Sequence, residues 1–286
     1  MPELPEVETI RRGLEECLTR KRSGRVLSVE ILETKSFIGE PEEIISADVI
    51  AMRRRGKALI FDLSNGKSLI CHLRMTGQMI WSNGKERFAG GHPNDNFIAE
   101  LPNKQTRVVI DFENGRLFFN DQRKFGFMKV VPTNGVEKDA FIRKLAKEPW
   151  EMSGEELYAK LQKHKGAPIK SVILDQTIIA GLGNIYADEA LHYAMVNPKR
   201  KAGLVSKEDA EKIIAGARTV MEKSLDAGGS TIRNYVKSDG TRGDYLELFA
   251  EVFNRQGKEC RRCGEKIVKT KVGGRGTHYC PRCQKT

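Results

Sequence analysis

The first six residues, Met1-Pro2-Glu3-Leu4-Pro5-Glu6, place a proline at position 2 beside two carboxylates within one helical turn. Position 2 is small, so we expect the initiator methionine to be removed, which leaves a secondary amine at the amino terminus. Such an amine can attack an electrophilic carbon and form an iminium ion, and a terminal amine titrating near ~7.7–8.0 is partly neutral. Neighbouring carboxylates could transfer protons. The same residues also suit a helix start, with Pro5 in the first turn and Glu6 complementing the helix dipole.

Four cysteines near the carboxyl end have the spacing of a metal site. Cys260-x2-Cys263 and Cys280-x2-Cys283 are separated by 16 residues, and each pair can supply two thiolates to one tetrahedral zinc ion. A segment as short as 258–286 cannot bury a core alone, so the metal would supply much of its folding free energy. The sequence therefore predicts one structural zinc ion.

The net charge indicates a polyanionic partner. The 286 residues include 49 Lys or Arg against 38 Asp or Glu, a net charge of +11, which is typical of proteins that bind nucleic acid. Segment 258–286 alone has nine Lys or Arg against two Glu. No apolar run approaches the ~20 residues of a membrane span, and the acidic start lacks the apolar region of a secretory signal. A cytoplasmic protein is therefore expected, with Cys17 and Cys71 as core thiols rather than disulfide partners.

The elements that would position these groups fall into two patterns. After Pro5, apolar residues at helical spacing predict a first helix with Arg11 in solvent. Its buried stripe comprises Val7, Ile10, Leu14, Cys17 and Leu18. From 25 to about 131, runs of β formers separated by turn signals such as Asn114-Gly115 predict a two-layer β-sandwich. The clearest strands are expected at 25–31, 57–63, 68–73 and 106–112.

Helical periodicity dominates from about 138 to 226. Helices are expected at 139–147, 153–163, 168–176, 184–195 and 206–225. Segment 132–135, Pro-Thr-Asn-Gly, breaks the pattern and is the expected domain boundary. The predicted fold is α+β and multidomain: a β-sandwich preceded by a helix in 1–132, a helical domain in 133–257 and a zinc finger in 258–286.

The run Gly181-Leu-Gly-Asn184 opens one of these helices. The glycines permit tight backbone geometry, and Asn184 is a suitable N-cap. Free N–H groups and the helix dipole at such a start can bind an anion such as phosphate, although an ordinary helix corner has the same pattern. A basic run, Arg53-Arg-Arg-Gly-Lys57, is likewise suited to phosphate contacts.

These motifs occur in the order found in a known family. The chain resembles the bacterial formamidopyrimidine-DNA glycosylases (Fpg), which remove oxidised purines such as 8-oxoguanine from DNA and begin with Met-Pro-Glu-Leu-Pro-Glu. The related endonuclease VIII group usually has Gly where Leu4 stands. The resemblance covers nearly the whole chain. It implies a helix–two-turn–helix in the helical domain, a four-cysteine zinc finger and damaged double-stranded DNA as the partner of a monomer.

The resemblance also implies residue roles. Pro2 would be the nucleophile, Glu3 a proton-transfer group, and Glu6 a support through helix-terminus hydrogen bonds. Lys57 would contact the lesion-strand phosphate and Arg275, on a hairpin turn in the finger, the DNA at the lesion; both are counted with the catalytic residues. The expected DNA-binding residues are His72, Met75, Arg123, Phe125 and Asn184. The loop expected to cover the everted base carries Ser230, Thr231 and Tyr235.

Met75, Arg123 and Phe125 also have side chains suited to the eversion of a base. A base that leaves the helix needs a plug for the vacated stack, and Met75 and Phe125 are suitable apolar wedges. The Arg123 guanidinium could hydrogen-bond the orphaned partner base.

We therefore expect a bifunctional DNA glycosylase/AP lyase, with DNA in a basic cleft between the two larger domains. The reaction would proceed through a Schiff base at Pro2 and cut the strand by β,δ-elimination. Three alternatives remain at this point. They are an enzyme for oxidised pyrimidines, a catalytically silent DNA-binding protein, and an RNA-binding zinc-ribbon protein; the last two leave the amino-terminal motif unexplained.

Overall fold

The computed structural model describes residues 1–19, 24–92, 97–228 and 248–285. The chain divides into two compact units. The β unit comprises Met1–Arg143 with Ala227–Gly243, and the helical unit comprises Lys144–Asp226 with Asp244–Thr286. Within the described ranges, no helix is both long enough and apolar enough to cross a membrane.

The β unit begins with α1 (Leu4–Leu18). Its apolar stripe is buried as predicted: Val7, Ile10, Leu14, Cys17 and Leu18 are each at most 3% exposed. Arg11, expected in solvent, is instead partly buried because its guanidinium donates to Glu8, to Glu15 and to the carbonyl of Met52. These contacts fix the helix, and hence the start of the chain, against the rest of the unit.

The predicted β-sandwich is confirmed. The strands described in this unit are β1 (Val26–Ile31), β2 (Phe37–Ile38), β3 (Val49–Arg55), β4 (Ala58–Leu63), β5 (Lys67–His72), β6 (Gly77–Ser82), β7 (Arg87–Gly91), β8 (Thr106–Phe112), β9 (Gly115–Asp121) and β10 (Phe127–Pro132). Over the described residues they form two five-stranded sheets, ordered β1-β8-β9-β6-β7 and β2-β10-β5-β4-β3. The pairs are antiparallel except β2 with β10. Side chains of both sheets and α1, including Phe61, Trp81 and Phe119, share one core.

The helical unit contains α2 (Gly154–Leu161), α3 (Ile169–Ile173), α4 (Asn184–Tyr193) and α5 (Lys207–Asp226). Four of the five predicted helices are therefore present; α2, α3 and α4 are shorter than predicted, and α5 has the predicted length, shifted by one residue. The predicted helix at 139–147 is wrong, since only a 3-10 turn, Ile142–Lys144, forms there. The Asp139 carboxylate accepts the N–H groups of Phe141 and Ile142, and this turn replaces the predicted start of the helix.

A β-hairpin near the carboxyl end pairs β11 (Val268–Val272) with β12 (Arg275–Tyr279). Gly273 and Gly274 form its two-residue turn with φ angles of 53° and 78°, as the twist of a tight hairpin requires. A Cβ on Gly273 would lie 2.2 Å from the Ser171 hydroxyl oxygen. Only glycine therefore lets this turn pack so closely on α3.

Candidate active site and metal centre

Glu3 and Glu6 bind each other at the start of α1. Glu3 is the N-cap, and the two residues form a reciprocal capping box in which Glu6 accepts the Glu3 N–H at 2.8 Å. Glu3 is 3% exposed and Glu6 2%, and the neighbouring Pro2 is also buried. The two carboxylates are therefore held in fixed positions beside the amino terminus.

The amino terminus lies in a site that favours a neutral amine. Burial lowers the pKa of the Met1 amino group; Glu3 and Glu6 oppose this effect, and Lys57 adds to it. Lys57 lies in the turn between β3 and β4 and is only 5% exposed. Burial, followed by the charge of the amino terminus, also lowers the pKa of His92. An amine held in this position is neutral, and thus nucleophilic, at lower pH than a terminal amine in water.

His72 ends β5 beside this group. Its Nδ1 accepts the Arg74 N–H at 2.9 Å, so the ring proton of the neutral form is on Nε2. The ring meets Phe141 edge-on, with 5.0 Å between centroids. Burial lowers the pKa of His72 to about 3, helped by the charges of Arg74 and Lys57. His72 is therefore a neutral hydrogen-bonding group near neutral pH.

This histidine should make the β unit sensitive to acid. The folded-state pKa of His72 lies below the ordinary value of 6.5, so the unfolded chain takes up the proton first as the pH falls. The stabilisation is complete above pH ~6.5 and declines towards pH ~3. Between pH 7 and 5, the parent protein should lose about 2 kcal/mol more unfolding free energy than His72→Asn, whose amide oxygen can replace Nδ1 as the acceptor. Urea unfolding at both pH values measures this difference, and equal losses would contradict it.

A buried carboxylate holds the loop that carries Arg123 and Phe125. Asp121, at the end of β9, is 0% exposed. Its carboxylate accepts the N–H of Phe125 at 2.8 Å and that of Gly126 at 2.7 Å, and the N–H of Arg123 at 3.2 Å. A single side chain thus fixes the backbone of loop 122–126 and leaves its side chains outside the core.

The loop that carries Met75 shares this anchor. Thr76 donates its hydroxyl to Asp121, and the Thr76 oxygen accepts the Arg123 N–H at 3.0 Å. Met75 is partly buried, whereas Phe125 is 55% exposed. The Arg123 guanidinium lies 4.8 Å from the Phe125 ring centroid. The three predicted gap-filling side chains therefore stand on two loops joined through Asp121.

Part of the basic run 53–57 has a structural role. The Arg53 guanidinium contacts Asp62 at 2.5 Å, and that of Arg54 contacts Glu8 at 3.1 Å. Two of the four cations expected to bind phosphate are thus paired within the β unit, where they join β3 to β4 and to α1.

In the helical unit, Asn184 and the residue after Arg275 meet. Gly183, not Asn184, is the N-cap of α4, since its extended backbone supplies the carbonyl that accepts the Ala187 N–H. The prediction that Asn184 is the cap is therefore wrong. Asn184 is the first helical residue, and its amide donates to the Gly276 carbonyl at 3.1 Å. Arg275 is the first residue of β12, directly before Gly276, and its side chain is exposed.

A fully buried ion pair fixes the same hairpin. Lys170 on α3 lies 2.7 Å from Asp188 on α4, and both side chains are 0% exposed. The Lys170 ammonium also donates to the Gly276 carbonyl and the Thr277 hydroxyl, each at 2.9 Å. Asp188 accepts the His278 N–H at 2.8 Å. One pair of charges therefore joins α3, α4 and β12.

A second buried carboxylate on α4, that of Glu189, binds the chain that leads into the cysteine cluster. It accepts the N–H groups of Glu251, Val252 and Phe253 at 2.7–2.9 Å. Burial raises its pKa, although these three hydrogen bonds oppose the shift. Val252 in turn packs against Ile267 in the small core of the cluster.

The four predicted metal ligands converge. Among the described residues, Cys260, Cys263, Cys280 and Cys283 place their Sγ atoms within 4.8 Å of one another. The Sγ atoms of Cys263 and Cys280 are 3.5 Å apart, and those of Cys260 and Cys283 are 3.9 Å apart. A tetrahedron with Zn–S bonds of about 2.3 Å has edges of about 3.8 Å. The cluster therefore fits one zinc ion with no open coordination position.

Some residues of this arrangement had no clear sequence signal. Asp121 begins a segment that ends in Gly126, a composition typical of a turn held by an aspartate, and this could have indicated its role. Lys170 and Glu189 lie on helices like many charged residues, and their partners are distant in sequence. Ser230, Thr231 and Tyr235 lie outside the described residues, so their role remains a prediction.

Comparison with known families accounts for most of the chain. Residues 1–128 match the formamidopyrimidine-DNA glycosylase N-terminal domain, and 145–236 match the H2TH domain of the same enzymes. Residues 257–286 match the zinc finger found in FPG and IleRS. With the converging cysteines, this last match shows that the chain has one structural zinc site.

The chain is similar to several known proteins over its full length. The chain is 39% identical over 289 residues to a formamidopyrimidine-DNA glycosylase of Pelotomaculum thermopropionicum, covering 100% of this chain and 99% of that one. It is 40% identical over 292 residues to one from an Exiguobacterium strain, covering 99% of each. A crystal structure of a Lactococcus lactis FPG mutant in complex with Fapy-dG-containing DNA superimposes with a TM-score of 0.85 at 32% identity, covering 100% of both chains. A complex of the Lactococcus lactis Fpg with abasic-site DNA gives 0.85 at 30% identity, again with 100% of both chains covered.

Proposed function

Because the chain belongs to the formamidopyrimidine-DNA glycosylase family, we propose that it is a bifunctional DNA glycosylase and AP lyase of base excision repair. Its substrate is duplex DNA that contains an oxidised purine, either 8-oxoguanine or a formamidopyrimidine. The observation that carries the proposal is the set of buried residues at the amino terminus: Pro2, the carboxylates Glu3 and Glu6, and Lys57, whose charge acts on the terminal amine.

Pro2 is the nucleophile once Met1 is removed. Its nitrogen attacks C1′ of the damaged nucleotide, and the bond from C1′ to the base breaks as the N–C1′ bond forms. The base leaves with a proton. The attacking nitrogen loses its one proton, which balances the proton that leaves with the base. Opening of the sugar ring, with a proton taken up by the ring oxygen, then gives an iminium ion that has no hydrogen on nitrogen. Burial lowers the pKa of the Met1 amino group, and the same surroundings would favour the neutral form of an amine at the adjoining Pro2, which is the form that attacks.

Glu3 transfers protons at the sugar, and Glu6 positions it. Opening of the ring requires a proton on the ring oxygen, which a carboxyl group next to the nucleophile can supply. The Glu6 carboxylate holds the Glu3 backbone N–H at 2.8 Å, so Glu6 acts on Glu3 rather than on the substrate. Lys57 positions the lesion-strand phosphate. Its side chain is buried and its charge acts on the same amino terminus as those of Glu3 and Glu6, which supports a role at this site.

The iminium ion then promotes strand cleavage. It acidifies the hydrogen at C2′, and loss of that proton expels the 3′ phosphate by β-elimination. A further elimination expels the 5′ phosphate, so the strand is cut on both sides of the missing nucleoside.

Eversion of the base uses the two loops anchored by Asp121. Met75 and Phe125 enter the vacated stack, and Arg123 hydrogen-bonds the orphaned base. Phe125 is 55% exposed, which supports this role, because an apolar residue kept in solvent has a larger surface to bury on binding. His72 contributes its Nε2–H as a neutral donor.

The helical unit holds the DNA backbone. Asn184 and the positive end of the α4 helix dipole bind a phosphate, and Arg275 reaches the DNA at the lesion. The protein works as a monomer. The helix start and the hairpin are held at Gly276 by hydrogen bonds from Asn184 and Lys170, which supports a joint role.

Borohydride trapping tests the proposal. The protein is incubated with duplex DNA that contains one 8-oxoguanine opposite cytosine, reduced during the reaction, and the crosslinked peptide is identified by mass spectrometry. A crosslink at an amino-terminal Pro2 is expected, and the same duplex with guanine should give none. A crosslink at Lys57 would support the lyase activity but identify Lys57, and not Pro2, as the nucleophile. No crosslink from protein that lacks Met1 and has bound zinc would overturn the proposal in favour of a silent DNA-binding protein.

A further inference from the structure

A histidine outside the four zinc ligands contacts one of them. His192 lies near the end of α4 and is 1% exposed, and Cys260 is 2% exposed. The His192 Nε2 atom is 3.6 Å from the Cys260 Sγ atom. We propose that His192 is a positioning residue of the zinc centre, with its Nε2–H donating a hydrogen bond to the Cys260 thiolate.

The direction of this hydrogen bond follows from the ligand chemistry. A cysteine that binds zinc is a thiolate, which has no proton to donate and can only accept. Imidazole can present an N–H at Nε2 in either protonation state. Because both groups are buried, an N–H that did not meet the sulfur would lose its hydrogen bond to water without a replacement.

The backbone of His192 contacts the same cysteine pair. The Arg262 guanidinium donates to the His192 carbonyl at 3.3 Å, and Arg262 lies between Cys260 and Cys263 in sequence. Side chain and main chain of one helical residue therefore both hold the first Cys-x2-Cys pair against α4. His192 lies one helical turn from Asp188 and Glu189. Three polar residues along α4 therefore bind the part of the chain that carries the zinc ligands and the segment that leads into it.

The hydrogen bond also changes the metal site itself. Four thiolates around Zn²⁺ leave an excess of two negative charges. A donor to one sulfur withdraws electron density from it, which stabilises the ligand set against protonation and loss of metal. Such outer partners orient ligands, and their removal commonly costs about 10–100-fold in metal affinity.

Two substitutions separate hydrogen bonding from packing. His192→Phe keeps an aromatic ring but removes the N–H, and zinc affinity measured against a chelating indicator should fall about 10–100-fold. His192→Gln can place an amide N–H near the sulfur and should recover most of the loss. Tyr193→Phe, at a neighbouring residue that is 43% exposed, should leave the affinity unchanged. If His192→Phe does not fold, His192→Asn replaces it, because its amide is too short to reach the sulfur.

The cobalt-substituted protein gives a readout that packing alone would not change. Loss of a donor makes the thiolate more electron-rich, so the sulfur-to-cobalt charge-transfer band should move to lower energy in His192→Phe and not in His192→Gln. An unchanged band and unchanged zinc affinity in His192→Phe would overturn the proposal. Equal effects of Phe and Gln would also overturn it, because they would assign the contact to packing.

Discussion

Glu3→Gln is expected to lower the rate of base excision about 10²–10⁴-fold, the range that a positioned proton-transfer group contributes. Glutamine keeps an oxygen that can accept the helix N–H, so the capping box and the fold should persist. It cannot donate a carboxyl proton to the sugar. Single-turnover excision of 8-oxoguanine measures the rate, and a binding titration with the same duplex should show little change.

Glu6→Gln is the matched control. Both carboxylates are buried in the same turn of α1, and glutamine at position 6 can still accept the Glu3 N–H. We expect this variant to keep most of the excision rate. Equal losses in the two variants would mean that Glu3 acts through the helix terminus and not by proton transfer.

Lys170→Met should destabilise the helical unit by about 3–5 kcal/mol, because it leaves the Asp188 carboxylate buried without its cation. It also removes two donors from the hairpin, to the Gly276 carbonyl and the Thr277 hydroxyl. Urea unfolding of the zinc-loaded protein measures the effect. Trp150 fluorescence reports on the helical unit when Trp81, which lies in the β unit, is replaced by Phe.

The double variant Lys170→Met with Asp188→Asn tests the cause. It removes both charges and keeps an oxygen that can accept the His278 N–H, so it should be clearly more stable than Lys170→Met alone. Lys212→Met, on the surface of α5, should have little effect. If the double variant were as unstable as the single one, packing of the lysine chain and not the unpaired charge would explain the loss.

The parts of this site that could be predicted are those whose chemistry lies in contiguous residues. The two cysteine pairs bring their thiols together within a few residues, so spacing alone predicted the zinc site. The Pro2-Glu3 start also suits an ordinary helix start, and the resemblance to a family was needed to favour a chemical role, which stays a prediction. Asp121, Lys170 and Glu189 are different. Glu189 binds Glu251, Val252 and Phe253, some 60 residues away, and no local pattern distinguishes it from a solvated helical carboxylate.

Elements of the fold were likewise predicted well where the local sequence determines them, and poorly where burial or distant partners do. Strand β8 was predicted with its observed ends because its β formers lie between clear turn signals. Strand β6 is buried along almost its whole length, so it lacks the alternation that marks a half-buried strand. The false helix at 139–147 had suitable periodicity, but Asp139 uses its carboxylate to cap a turn and pairs with Lys129. The spacing of apolar residues does not show whether a side chain such as that of Asp139 forms hydrogen bonds that prevent a helix.

The position of the zinc ligands has a consequence for biosynthesis. All four cysteines fall between residues 260 and 283 of 286, and α4 is their docking surface. Domains generally fold from the amino terminus onward as the chain is made, so the β unit with its amino-terminal site can be complete before any ligand is synthesised. Metal capture then follows the folding of the β unit. A cell short of zinc would accumulate chains with a finished β unit and an incomplete helical unit.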